Sequence, residues 1–142
     1  MDAFDADVLI YAAVRGHPIG RRIRALLPKT APVTDAPITA IGSLLLVPEL
    51  LTKPTRQQAE DELRALAAIL TRLDLRPVDD ATVELAVVLG ATYRLKPIDA
   101  VHLATAVLAG ADRFLTNNRK DFTARIAEVD VTFPEDLPDP SS

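Results

Sequence analysis

Short apolar runs alternate along the chain with longer segments in which apolar residues recur at helical spacing. The apolar runs predict strands at Ala3–Ile10, within "APVTDAPITAIGS", and in "LRPV", "DRFLT" and "VDVTF". Strands that alternate with helices in this way are typical of an α/β fold with a largely parallel sheet.

The segments between these runs predict helices, and turn formers mark most of their ends. "HPIGRRIRALLP" carries apolar residues at helical spacing and stops at Pro28. "TRQQAEDELRALAAILTRL" predicts one long amphipathic helix, because its apolar residues form a single stripe and charges fill the opposite face. "DATVELAVVLGATYRL" predicts a helix capped by Asp79 or Asp80. "KPIDAVHLATAVLAGA" predicts a helix with Pro97 at its first position and Gly110 at its end.

The segment "SLLLVPELL" allows two interpretations. In one, Ser43 caps a helix that holds Pro48 in its interior, where a proline costs a hydrogen bond. In the other, the helix begins at Pro48, which suits the first helical position. Both interpretations place Glu49 near a helix start or kink.

The length of 142 residues suits one domain with a real core, and a hydrophobic content of 49% is that of a packed globular protein. We assign residues 1–134 to this domain. Residues 135–142 form a polar C-terminal tail, because "PEDLPDPSS" bears prolines and has no core to join.

The absence of cysteine excludes disulfides, thiolate catalysis and cysteine-based zinc sites, and it is compatible with a reducing cytosol. The acidic N-terminus lacks the basic start of a secretory signal, and "IGSLLLVPELL" is too short to span a bilayer. We therefore expect a soluble cytoplasmic protein without a membrane partner.

The charge balance limits how this protein would meet a nucleic acid. A net charge of −4 argues against a broad basic surface that neutralises phosphates. With 4% aromatic residues and no Trp, there is no evident row of rings on which bases could stack. If nucleic acid is the substrate, a bound divalent metal could mediate the contact.

Polar side chains gather near the predicted strand ends, where open α/β sheets bind ligands. Two carboxylates lie on one face of the first strand, one follows the second strand, one opens the helix "PIDAVHLATA", and an amide and a carboxylate follow the fourth strand: Asp5, Asp7, Glu49, Asp99, Asn118 and Asp121. Carboxylates contributed by separate elements suit a hard cation such as Mg²⁺ or Mn²⁺. Such an ion can activate water and stabilise the charge that builds on a phosphodiester.

Each of these residues also has a simpler interpretation. Asp99 could merely complement the positive end of its helix. Glu49 could be a surface residue of an early helical turn. Either Asp5 or Asp7 could accept hydrogen bonds from backbone N–H groups at a loop. Two carboxylates on the same face of a strand, however, need a cation or several hydrogen-bond donors.

Four segments, in this order, resemble the PIN domain: "FDADVLIYAA", "PELL", "IDAVHLATAVLAGADRFLTNN" and "KDF". The nearest members are the VapC-like toxins of bacterial and archaeal toxin–antitoxin modules. The resemblance covers roughly Ala3 to Phe133, and its specific part is the "DA-hydrophobic-HLATA" helix followed by the "LTN" strand. It implies a Mg²⁺- or Mn²⁺-dependent ribonuclease on a three-layer α/β/α sandwich, with a mainly parallel sheet of four to five strands. Residues 1–134 would then be a PIN-like nuclease domain.

The resemblance also implies roles for individual residues. The acidic positions of the family fall on Asp5, Glu49 and Asp99, and a further polar position falls on Asp7. Asp5, Glu49 and Asp99 would hold one ion, directly or through water, and Asp7 with Asn118 or Asp121 would complete the site. The expected catalytic residues are Asp5, Glu49, Asp99 and Asn118. The fourth acidic position of the family is here Asn118, which adds no charge.

The loop that follows the fourth strand supplies the remaining expected site residues. Asp121 lies three residues after Asn118 and could supply the missing carboxylate as a metal ligand. Thr116 matches the threonine of the family and could orient a ligand or water. Arg119 and Lys120 lie beside the expected metal site, where they could meet a phosphate of the substrate.

Other polar residues are weaker candidates for a functional role. His102 invites a general-base role, but we expect it to pack or to hydrogen-bond within its own helix; His17 is the second histidine. Ser43 lacks the pattern of a serine nucleophile. The "RRIR" segment is more readily a solvated face than an RNA contact.

The leading hypothesis is an endoribonuclease toxin that acts on RNA and is held inactive by a cognate antitoxin, whose basic segment covers the acidic pocket in related modules. The apolar helical surfaces would permit a homodimer. One alternative is a PIN-like nuclease in other RNA or DNA processing. Another is a catalytically inactive PIN-like binding module, and Asn118 favours it.

Overall fold

The computed structural model describes residues 1–140. These residues form five strands: β1 (Asp2–Phe4), β2 (Ala40–Ser43), β3 (Asp74–Arg76), β4 (Arg113–Leu115) and β5 (Asp130–Thr132). They also form six α-helices: α1 (Ala6–Ala12), α2 (Pro18–Arg24), α3 (Leu46–Arg56), α4 (Glu60–Leu70), α5 (Asp80–Tyr93) and α6 (Pro97–Leu108). A short 3-10 helix follows at Pro134–Asp136.

All neighbouring strands pair in parallel, and the five strands lie in the order β3-β2-β1-β4-β5. The chain moves outward from β1 through β2 to β3, and then crosses to the other side of β1 for β4 and β5. The winding direction therefore reverses between β1 and β4. In open parallel sheets, ligands bind outside the carboxyl ends of the strands at such a reversal.

Successive strand residues point to opposite faces of the sheet, and each face has its own core. Phe4, Ala40 and Leu115 pack in one core with residues of α1 to α4. The residues Ala3, Ile41 and Phe114 pack in the other core with residues of α5 and α6. Helices thus cover both faces of the sheet, and the expected three-layer α/β/α sandwich is confirmed.

An ion pair joins the two central strands where they begin. Asp2 and Arg113 lie opposite each other on β1 and β4. Arg113 donates from Nε to Oδ1 of Asp2 at 2.9 Å and from Nη2 to Oδ2 at 3.1 Å. A bidentate contact of this kind supports one register of the strand pair.

The predicted strand Ala3–Ile10 is wrong in its second half. β1 ends at Phe4, and Asp5 caps helix α1 by accepting a hydrogen bond from the backbone N–H of Ala6 at 2.8 Å. The buried residues of this helix recur at helical spacing: Ala6, Val8, Leu9 and Ala12. A short apolar run does not distinguish a strand from a buried helix, and the capping carboxylate decides the outcome here.

The single long helix predicted over "TRQQAEDELRALAAILTRL" is two helices. α3 ends at Arg56 and α4 begins at Glu60. Between them Gln58 adopts a left-handed backbone with φ of +53°, a conformation that ends helices. The apolar stripe continues across the break because both helices pack against the same core.

The helix in "SLLLVPELL" begins between the two expected positions. α3 starts at Leu46, so Pro48 is its third residue. At this position the missing N–H would have had no partner within the helix. The Ser43 hydroxyl instead accepts the backbone N–H of Leu45 at 3.1 Å, ahead of the helix. Glu49 lies in the first turn of α3 as expected.

Three other predicted helix ends agree with the structure, whereas α2 ends at Arg24, before the predicted stop at Pro28. Asp79 caps α5 by accepting the backbone N–H of Thr82 at 2.9 Å. Pro97 is the first residue of α6, and Gly110 follows that helix with φ of +71°.

The C-terminal segment is attached to the domain. Leu137 is only 5% exposed and belongs to the core formed between the sheet and helices α1 to α4. Arg22 donates from Nη1 to the carbonyl oxygens of Pro134, Glu135 and Leu137 at 2.8–3.3 Å. The expectation that this tail has no core to join is therefore wrong, and so is the expectation that "RRIR" is only a solvated face. Residues 141–142 of the expected tail lie outside the described residues, and the domain boundary at residue 134 stays a prediction.

Candidate active site

The two strands that flank the chain reversal end side by side. Phe4 of β1 lies opposite Leu115 of β4, so Asp5 and Thr116 follow at the same edge of the sheet. The backbone N–H of Asp5 donates to the carbonyl of Leu115 at 2.9 Å, which extends the pairing by one step. Because β1 is so short, Asp5 lies just beyond its carboxyl end, where a ligand site of this fold belongs.

Asp5 is 4% exposed, and both oxygens of its carboxylate accept hydrogen bonds. Oδ1 accepts the backbone N–H of Ala6 at 2.8 Å, and Oδ2 accepts the hydroxyl of Thr116 at 2.9 Å. The Thr116 oxygen in turn accepts the backbone N–H of Asn118 at 3.1 Å. Thr116 therefore fixes both the carboxylate of Asp5 and the loop that follows β4.

Asp7 ties helix α1 to the same loop. It lies in the first turn of α1, and its carboxylate accepts the backbone N–H of Asn117 at 3.0 Å to Oδ2 and 3.3 Å to Oδ1. Asp5 and Asp7 thus meet at this edge because a helix begins between them, and not because they share a strand face.

Asn118 and Asp121 bind each other within the loop after β4. The Asn118 amide donates from Nδ2 to Oδ2 of Asp121 at 2.9 Å, and the backbone N–H of Asp121 donates to Oδ1 of Asn118 at 3.2 Å. The amide that stands at the fourth acidic position is therefore held against a neighbouring carboxylate.

Glu49 and His102 form a contact that the sequence analysis missed. Nε2 of His102 and Oε2 of Glu49 are 2.5 Å apart, and they join α6 to α3. His102 is 2% exposed, and its Nδ1 has no hydrogen-bond partner in the described part of the chain. His102 is packed in the interior, one of the two expected alternatives, but its hydrogen bond goes to Glu49 of α3 and not to its own helix. Its position three residues after Asp99, on the same face of α6, was a signal for a role beside that carboxylate.

Burial and like charge raise the pKa of three carboxyls in this cluster. Desolvation is the largest cause for Asp5, Asp7 and Asp99 alike. The pKa of Asp7 rises to about 7, with the negative charge of Asp5 as the second cause. The charges of Asp5 and Asp121 add to the rise at Asp99. For Asp5, the interaction with His102 and the Thr116 hydrogen bond oppose the rise.

The donor set suits a hard divalent cation. Carboxylate and amide oxygens are ligands that Mg²⁺ and Mn²⁺ prefer, and a bound cation would oppose the desolvation and like-charge repulsion that raise the pKa of Asp5, Asp7 and Asp99. Among residues 1–140, no three Asp, Glu or His side chains form a group ready to hold a metal ion. The chemistry of the donors therefore fits such an ion, whereas their convergence would have to occur on binding.

The two basic residues expected to contact substrate face different surroundings. The Arg119 guanidinium pairs with Glu135, lies 3.8 Å from the Asp136 carboxylate, and stacks over the Phe133 ring with its centre 4.0 Å from the ring centroid. It is turned toward the C-terminal segment. Lys120 is exposed and lines a cleft together with Asp121.

Residues 3–129 match the model of the PIN domain family. The match spans most of the chain, so this protein belongs to the PIN domain family, and the expected resemblance is confirmed.

Solved structures agree with this assignment. A structure described as "Toxin-antitoxin complex from Klebsiella pneumoniae" aligns at 26% identity with a TM-score of 0.72, covering 94% of this chain and 98% of that one. A DNA-bound VapBC from Salmonella typhimurium aligns at 17% identity with a TM-score of 0.72, over 94% and 97% of the two chains. VapBC2 from Rickettsia felis, bound to a promoter DNA fragment, aligns at 17% identity with a TM-score of 0.69, over 93% and 97%. A comparison with curated protein sequences gave no match.

No helix within residues 1–140 has both the length and the apolar character that crossing a membrane requires.

Proposed function

We propose that this chain is a Mg²⁺- or Mn²⁺-dependent endoribonuclease and the toxin of a cytoplasmic toxin–antitoxin pair. The observation that carries the proposal is the buried carboxylate of Asp5, held by Thr116 at the chain reversal and within electrostatic reach of Asp7 and Asp99. The family supports a nuclease, since PIN domains are generally nucleases. The toxin–antitoxin complexes among its structural neighbours support the toxin role.

Each carboxylate has a distinct part in this proposal. Asp5, Asp99 and Glu49 would hold one divalent ion, directly or through water, and Asp7 with Asn118 or Asp121 would complete the site. A divalent ion in such a site stabilises the charge that builds on a phosphodiester and lowers the pKa of water.

The supporting contacts position these ligands. Thr116 holds the Asp5 carboxylate in one orientation through its hydroxyl. His102 does the same for Glu49 through Nε2, and this contact explains why a histidine is buried beside a cluster of carboxylates. Thr116 and His102 are both buried, so each holds its carboxylate partner from a fixed position, while the carboxylates themselves would converge when a metal ion binds.

The test is an RNA cleavage assay with and without added Mg²⁺ or Mn²⁺. Asp99→Asn keeps the shape of the side chain and removes its charge, and we expect it to reduce cleavage at least about 100-fold. Asp5→Ala should have the same effect, but Asp5 also caps α1, so its fold must be checked by circular dichroism. Asp35→Asn, in an exposed loop, is the matched control. Cleavage that is undiminished in Asp99→Asn would overturn the nuclease assignment.

The antitoxin is tested in cells. Expression of the wild-type chain should arrest growth, and expression of Asp99→Asn should not. Co-expression of a small DNA-binding protein encoded next to this gene should relieve the arrest. Growth arrest that persists in Asp99→Asn would contradict the proposal that the chain is toxic because it cleaves RNA.

The homodimer belongs to the same proposal. Helix α5 leaves Val83, Val87 and Val88 exposed by 50–68%, and such an apolar surface supports a contact between two copies. Val87→Glu should shift the mass measured by light scattering toward the monomer. A wild-type chain that is monomeric at high concentration would contradict this part of the proposal.

An inactive binding module is the second candidate, because Asn118 stands at an acidic position of the family and its amide is engaged by Asp121. Calorimetric titration with Mn²⁺ distinguishes an active metal-dependent nuclease from an inactive binding module. No heat of binding at millimolar metal would favour the inactive module.

A further inference from the structure

A polar cleft of about 710 Å³ opens beside the candidate active site. The C-terminal end of α5 forms one wall, with Thr92, Tyr93 and Arg94. The segment after β4 forms the other wall, with Lys120, Asp121 and Arg125. The volume lies in the range of about 300–1,000 Å³ that is usual for ligand sites.

The cleft is positively charged in an acidic protein. Arg94, Lys120 and Arg125 contribute three cations against the one carboxylate of Asp121, whereas the whole chain carries a net charge of −4. Within residues 1–140, none of these three cations forms an ion pair. Their charge is therefore available to an anionic ligand.

The cleft adjoins the candidate active site through Asp121. Asp121 lines the cleft and binds the amide of Asn118 at 2.9 Å. On the opposite wall, Arg94 precedes Asp99 by five residues, across the short connection from α5 to α6. A polymer held in the cleft would therefore lead directly to the carboxylates.

The backbone at Arg94 supports a role for its side chain. Arg94 ends α5 in the left-handed conformation, with φ of +57° and ψ of +45°. Glycine is the residue that best tolerates this position, so an arginine here is held against local preference. What the arginine adds over glycine is a cation on the wall of the cleft.

Tyr93 holds the two walls together. Its hydroxyl hydrogen-bonds to the Glu128 carboxylate and accepts the backbone N–H of Ala127 at 3.4 Å. Tyr93 is half-buried and lines the cleft, so an aromatic side chain lies beside the cations. Aromatic rings beside cations are the usual means of binding bases and phosphates of a single strand.

We propose that this cleft binds single-stranded RNA on one side of the cleaved bond, with Arg94, Lys120 and Arg125 contacting phosphates and Tyr93 contacting a base. The inference rests on the proposed function, because it takes RNA as the substrate of the neighbouring site. In this proposal the phosphate contacts come mainly from the residues of the cleft and not from Arg119, because the Arg119 guanidinium already interacts with Glu135 and Asp136.

The test measures RNA binding separately from cleavage. In the Asp99→Asn background, fluorescence anisotropy follows the binding of a labelled ten-nucleotide single-stranded RNA between 50 and 300 mM salt. The cleft variant carries Arg94→Gly, Lys120→Ala and Arg125→Ala. The control variant carries Arg15→Ala, Arg56→Ala and Arg64→Ala, which remove the same charge from exposed positions outside the cleft. Because glycine adopts the left-handed backbone conformation readily, Arg94→Gly should not unfold the protein, and loss of binding would not reflect unfolding.

We expect the cleft variant to bind the RNA at least about 10-fold more weakly than the control variant at low salt. Its salt dependence should also decrease, by roughly 2 in the slope of log affinity against log salt, because three phosphate contacts are lost. Equal affinities for the cleft and control variants would overturn the inference, as would a wild-type chain that binds no RNA. Preference for an acidic peptide of ten glutamates over the RNA would overturn it in favour of a protein ligand.

Cleavage by variants with Asp99 intact separates this inference from the proposed function. If the wild type cleaves RNA and the cleft variant cleaves it equally well, the cleft inference fails while the nuclease stands. If cleft-dependent binding is found but no metal-dependent cleavage occurs, the nuclease proposal fails while the cleft remains an RNA site.

Discussion

Asp7 gives the most direct test of the electrostatics at the sheet edge. In the folded protein its pKa is raised to about 7, first by desolvation and then by the charge of Asp5. Folding therefore favours the protonated form of Asp7. The stability that this preference contributes is present at low pH and is lost as the pH rises from about 4 to about 7. Asp7→Asn removes the charge but keeps an oxygen that can accept the N–H of Asn117, so it should not undergo this loss.

The size of the effect follows from the shift. The pKa of Asp7 moves from an ordinary 3.8 to about 7, and one pKa unit corresponds to about 1.4 kcal/mol. The upper limit is therefore about 4 kcal/mol above pH 7. Because solvent reaches part of this side chain and neighbouring carboxyls adjust, we expect Asp7→Asn to be about 1–3 kcal/mol more stable than wild type at pH 8. At pH 5 the gain should be smaller, about half of the gain at pH 8.

The assay is urea denaturation followed by circular dichroism at pH 5, 6, 7 and 8, in the presence of a chelator that keeps divalent ions away. Asp35→Asn, which makes the same chemical change in an exposed loop, should show no such pH-dependent gain. A variant that is no more stable than wild type at pH 8, or whose gain is independent of pH, would refute the account of uncompensated charge.

Two further substitutions test the packing around the site, and both are measured by urea denaturation. Thr116→Val keeps the shape of a fully buried side chain but removes the hydroxyl bonded to Asp5, and should cost about 1–3 kcal/mol. Thr52→Val, which removes an exposed hydroxyl bond within one helix, should cost well under 1 kcal/mol, and equal costs for the two variants would contradict the role of Thr116. Leu137→Ala should cost about 2–4 kcal/mol, because this residue of the C-terminal segment is buried in the core. Leu108→Ala, at a position that is 52% exposed, is its control, and a cost for Leu137→Ala no larger than the control's would show that the C-terminal segment is not docked.

Local chemistry was enough to predict several elements. Alternating strand and helix patterns indicated the parallel α/β fold, and capping residues located two helices, since Asp79 and Pro97 act through neighbours only a few residues away. Such effects depend on the adjacent sequence, so they can be predicted from it.

The predicted helices and strands were wrong where the local sequence pattern was ambiguous. The run after Phe4 is as apolar as a strand, and the Asp5 cap together with packing against the sheet makes it α1. The break at Gln58 divides an unbroken apolar stripe, because both halves still face the same core. Leu137 stands among prolines and acids, and its segment is held against the domain by the burial of Leu137 and by residues distant in sequence, such as Arg22.

By itself the sequence determined which chemical groups are available: carboxylates near the strand ends, the amide of Asn118 at the fourth acidic position of the family, and no thiol. Tertiary structure alone decided which of them meet. Asp5 touches Thr116 because β1 and β4 are neighbours in the sheet although 111 residues separate the two side chains. The Glu49–His102 contact, the cleft that includes Arg94 and Lys120, and the burial that raises the pKa of Asp7 arise in the same way. Hydrogen bonds and desolvation depend on distances in space, and those distances are fixed only once the strand order is known.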